Sequence, residues 1–99
     1  MASVSKFRGS LSGDAPPLGL SPSLRALWWA AKGAWDDAHT LVQGEEGSEA
    51  AWVHAYLHRV EGDLSNAAYW YRRAGREPAS GTLDQEWAEI VAVLLDKDA

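Results

Sequence analysis

Lys32-Gly33-Ala34-Trp35-Asp36-Asp37-Ala38 and Glu61-Gly62-Asp63-Leu64-Ser65-Asn66-Ala67 follow one pattern, x-Gly-x-apolar-x-x-Ala, with the two glycines 29 positions apart. The same offset lays Leu24 on Val53, Leu27 on Tyr56 and Ala31 on Val60. A glycine allows the sharp link between two helices, and an alanine one turn later lets the helices approach closely. The pattern therefore predicts two copies of a helix–turn–helix hairpin, stacked on one another.

The flanking residues supply the helix boundaries. Ser21-Pro22 reads as an N-cap and first helical residue, followed by Leu24, Leu27, Trp28 and Ala31 at helical spacing. Gly33 stops that helix, and the next runs from about Trp35 to Gln43. Ser48 is expected to cap a third helix that Gly62 ends, and Asp63 a fourth that stops at Gly75. Thr82 and Gln85 have capping-box spacing ahead of an amphipathic stripe of Leu83, Trp87, Ile90, Val91, Leu94 and Leu95. No segment alternates with a period of two.

Residues 1–23 contain six serines, three glycines and three prolines, with no apolar period. Such a stretch buries too little surface to offset its ordering entropy. It also lacks the compact apolar centre of a signal peptide. The expected organisation is a flexible tail over 1–21 and a helical domain over 22–99; docking of Val4, Phe7 and Leu11 as a short arm is the alternative.

Around the second turn, Trp52, Ala55, Gly62, Ala67, Tyr71, Ala74 and Pro78 fall near the small and aromatic signature positions of tetratricopeptide repeats. The run Ala67-Ala68-Tyr69-Trp70-Tyr71-Arg72-Arg73-Ala74 resembles the Ala-x-x-Trp-Tyr-x-Lys-Ala stretch of Sel1-like repeats. The resemblance implies an all-α fold, a short right-handed α-solenoid of two antiparallel hairpins with a C-terminal capping helix. It also implies a module that presents a surface to a protein or peptide.

Composition narrows the function classes. The 99 residues carry a net charge of −5 and no cysteine. The charge argues against nucleic acid, and the absence of cysteine excludes a thiol nucleophile or a thiolate zinc finger. No apolar run is long enough to span a membrane. A cytoplasmic protein without a cofactor is the expectation.

Six tryptophans and three tyrosines are a heavy load for this length. Trp28, Trp52 and Trp87 sit on apolar stripes and are assigned to the core. Trp29 points about 100° from Trp28, and Tyr69-Trp70-Tyr71 spread around a helix, so some rings face a second layer, a ligand or a partner. Arg72, Arg73 and Arg76 form the basic cluster beside them, either complementing the helix dipole at its C-terminal end or holding a carboxylate or phosphate. Trp29, Tyr69, Trp70, Arg72, Arg73 and Arg76 are the expected partner-binding residues, with an acidic or C-terminal peptide as ligand.

A second reading is an enzyme, small-molecule or metal-dependent, built on His54, His58 and Glu61, which share one helix face. His54 and Glu61 are separated by about two turns, roughly 10 Å, so one ion is not held by all three on a straight helix. The third ligand has to come from a neighbouring helix, and His39 is the best candidate. The pair is expected to hold no metal and to meet water or a partner. The third reading is a structural subunit that forms a homodimer through its spare aromatics.

Overall fold

The computed structural model describes residues 3–97. The first two residues of the expected tail and the last two of the chain lie outside that range. Within it the chain is all-helical: α1 (Val4–Gly9), α2 (Pro22–Ala31), α3 (Trp35–Gln43), α4 (Ser48–Val60), α5 (Leu64–Ala74) and α6 (Leu83–Lys97), with a 3-10 turn at Ser10–Ser12. No helix among the described residues is long and apolar enough to cross a membrane.

The repeat appears as repeated backbone geometry. Gly33 (φ 82°) and Gly62 (φ 85°) both occupy the left-handed region that favours glycine. Their amides donate to the carbonyls of Ala30 and Arg59, at 3.0 and 3.1 Å. The next amides, of Ala34 and Asp63, donate to Trp29 and His58, both at 2.9 Å. These paired bonds satisfy the last carbonyls of a helix and turn the chain at once into the next one. Consequently α2 packs on α3 and α4 on α5, while α3 packs on α4.

The other caps follow from the side chains. Ser21 Oγ accepts from the Leu24 amide and Asp63 Oδ1 from the Asn66 amide, both at 3.2 Å. Thr82 and Gln85 bond reciprocally, at 2.8 and 3.0 Å. Ser48 is the exception: it is the first helical residue, and Gly47, at φ 106°, takes the cap position.

α6 closes the core against α1, α2 and α4. Trp87, Ile90, Val91 and Leu94 are buried as the stripe predicts, whereas Leu83 is exposed. Trp28 and Trp52 are buried as well, and Trp87 Nε1 donates to the Leu27 carbonyl at 2.8 Å.

The N-terminal segment corrects the expected flexible tail. It forms α1, and Phe7 is buried with its ring 5.8 Å from that of Trp87. Arg8 lies over the Trp87 ring at 4.8 Å and pairs with Asp84 at 3.0 Å. Farther along, Ser10 Oγ accepts from Trp28 Nε1 at 3.1 Å, and the Lys32 ammonium donates to the Leu11 and Gly13 carbonyls. Contacts with α2 and α6 order a stretch that its own composition would leave open. Truncating Phe7 to Ala should therefore destabilise the protein by about 3 kcal/mol in urea unfolding. A change under about 0.5 kcal/mol would show that the segment is free of the core.

Candidate functional site

The first residue of α3 sets where its histidine goes. Trp35, at the start of α3, sends its Nε1–H to the Leu57 carbonyl of α4 at 2.6 Å. His39 lies one turn beyond Trp35, so this bond carries it over the face of α4 that bears His54 and His58. The His39 and His54 Nε2 atoms are 2.9 Å apart. The ring centroids of His39 and His58 are 5.4 Å apart, and those of His54 and His58 4.9 Å.

His54 and His58 are only 5% and 6% exposed, and His39 is half-buried. This overturns the expectation that the pair meets water or a partner. The reason is that α2, α3, α5 and α6 all pack on α4. Trp70 of α5 stacks on His54 with centroids 3.8 Å apart and planes at 12°, and Trp35 stacks on His39 at 4.7 Å and 11°. Trp35 was not among the residues expected at a site. Its spacing to His39, four positions on one helix, was the available signal.

Glu61 stands at the rim, and its Oε1 accepts from His58 Nδ1 at 2.6 Å. A carboxylate only accepts, so His58 Nδ1 is the donor, and in the neutral tautomer with that proton the lone pair sits on Nε2. One ring nitrogen from each of His39, His54 and His58 lies within 4.8 Å of the other two. A second group, His58 with Glu61 and Asp63, converges at the exposed end of α4.

Burial, with His39 and His58 alongside, pushes the His54 pKa down to about 4. Burial and His58 also lower that of His39, opposed by Glu61 and Asp36. At neutral pH His54 is therefore an uncharged imidazole.

The expected partner-binding residues divide among three places. Tyr69, Trp70 and Arg73 form one assembly on α5: Arg73 Nη1 donates to Tyr69 Oη at 3.0 Å, and its guanidinium lies 5.3 Å from the Trp70 ring. Arg72 is exposed on the same helix. Arg76 instead stacks 3.3 Å from the Trp52 ring, in a cleft of about 520 Å³ that Glu77, Glu86 and Glu89 make acidic. Trp29 lines a different cleft, with Pro17, Leu18, Arg25 and Leu41.

Compared with protein-family models, curated proteins and solved structures, the chain matches none.

The low His54 pKa links the cluster to stability. An unfolded His54 takes its proton near 6.5, whereas in the fold it does so near 4. Between those values the unfolded state binds the additional proton, so lowering the pH from about 6.5 to about 4 removes stability, and the loss then levels off. The His54 share should be on the order of 2–3 kcal/mol, measured by urea unfolding of chelator-treated protein across that range. A His54→Leu variant should lose most of this pH dependence; an unchanged slope would contradict the assignment.

Proposed function

We propose that this chain is a tetratricopeptide-like interaction module that receives an acidic peptide on the outer face of α5. In this reading α2–α3 and α4–α5 are two antiparallel hairpins of a short right-handed solenoid, closed by α6. The matched bonds at Gly33 and Gly62 support the repeat. The Tyr69–Arg73–Trp70 assembly is the observation that carries the ligand class.

α5 packs on α4 and, through Tyr71, reaches Glu86 of α6, while Tyr69, at 44% exposed, stands on its outer side with Arg72 and Arg73. The Tyr69 hydroxyl and the two rings hold the Arg73 guanidinium in place, which lowers the entropy lost when it grips a carboxylate. Arg72 adds a second cation beside it. Rings and guanidinium together suit an extended peptide with acidic side chains, whose carboxylates meet the arginines while apolar groups rest on Tyr69. Trp29 and Arg76 play no part in this surface.

Fluorescence anisotropy with a labelled peptide rich in Asp and Glu tests the reading. The wild-type protein should bind it, and Arg73→Glu should weaken binding by about tenfold or more, because it replaces an attraction with a repulsion. Added salt should weaken it as well. Failure to bind at millimolar protein, or equal affinity in Arg73→Glu, would remove α5 as the docking face.

A further inference from the structure

We propose that His39, His54 and His58 form a three-histidine site for a divalent transition-metal cation of the zinc class. This goes beyond the peptide-binding reading: Trp70 borders both features, but the ligating histidines take no part in the peptide surface, so either proposal can fail alone.

The geometry begins with two helices. α4 supplies His54 and His58 one turn apart, and the Trp35 bond to Leu57 sets α3 so that His39 completes the triangle. Zinc held by imidazole at 2.0–2.1 Å in a tetrahedron requires nitrogens about 3.3 Å apart. The His39 and His54 Nε2 atoms are already 2.9 Å apart, and no pair of the three chosen nitrogens exceeds 4.8 Å. Bringing the wider pairs in to that spacing calls for small shifts of the rings within their stacks.

The surroundings match what a bound cation needs. A metal-ligating histidine typically donates its other N–H to a carboxylate, which fixes the tautomer and raises the basicity of the ligand. Glu61 holds such a place on His58, at 2.6 Å. Trp35 and Trp70 stack on His39 and His54 and fix the planes of two more rings. Burying two imidazoles purely as packing would carry a desolvation cost that apolar side chains avoid. An all-imidazole donor set suits zinc, copper, nickel or cobalt and disfavours magnesium and calcium, which require oxygen ligands. With His54 and His58 buried, half-buried His39 marks the side open to solvent, so a fourth position there falls to water.

Isothermal titration of the chelator-stripped full chain with zinc chloride tests the site. One zinc ion should bind per chain with a Kd below about 1 µM. Cobalt(II) should give the intense visible bands of tetrahedral coordination. His39→Gln should abolish both signals, and His39→Phe, which keeps the stack on Trp35, provides the same test if the glutamine variant fails to fold. Glu61→Gln should weaken zinc binding by about 10–100-fold without abolishing it. No uptake at 100-fold excess zinc would overturn the proposal. So would binding unchanged in both His39 variants, which would assign the ion to the exposed Glu61–Asp63 end, and so would a weak octahedral cobalt spectrum.

Discussion

The buried carboxylate of Glu86 is the constraint on which the arrangement depends. It is 4% exposed and accepts from Tyr71 Oη at 2.6 Å, from Trp52 Nε1 at 3.2 Å and from Arg59 Nη1 at 3.0 Å. Removing a carboxylate from water costs several kcal/mol, so the state that survives is the one in which its partners are all in place. One residue of α6 thereby fixes both α4 and α5. Arg59 also reaches the Gly81 carbonyl, which holds the chain leading into α6. Burial and the bond to Glu86 raise the Tyr71 pKa, keeping its hydroxyl a donor, and burial with Glu86 nearby pushes that of Tyr56 up to about 12.

This anchor also determines where the histidines point. Trp52 and Arg59 are seven residues apart and share one face of α4, which Glu86 draws toward α6. His54 and His58 lie about 200–240° around the helix from Trp52 and so turn away from α6. Similarly, Tyr71 points to Glu86 while its neighbour Trp70 swings onto His54. A structural network on one side of α4 thus orients the imidazole cluster on the other.

Much of the helical framework was legible because its signals are local. Proline after serine, glycine at a left-handed turn and a reciprocal Thr82–Gln85 cap each act within a few residues. The N-terminal arm was legible only as an alternative: Val4, Phe7 and Leu11 mark it, but they stand among serines and glycines, and what orders them lies in α2 and α6. Glu86 could not be singled out either: on an amphipathic helix it reads as one more solvated acid, and only tertiary packing buries it. At the candidate site, helical spacing paired His54 with His58 and pointed to His39 for a third ligand. Their burial escaped detection because the pattern within α4 does not reveal that α2, α3, α5 and α6 all pack on it. For the same reason, residues grouped by type as a partner surface separated once Arg76 stacked on Trp52 and Trp29 turned to another cleft.

The central claim is that this packing converges three imidazoles from two helices into one cluster between stacked tryptophans. Nuclear Overhauser spectroscopy of the aromatic ring protons at neutral pH tests it most directly. The account predicts cross-peaks from His39 to His54 and to Trp35, and from His54 to Trp70, with ring-current shifts on both histidines. Histidine resonances at their free-peptide positions, without those cross-peaks, would contradict it.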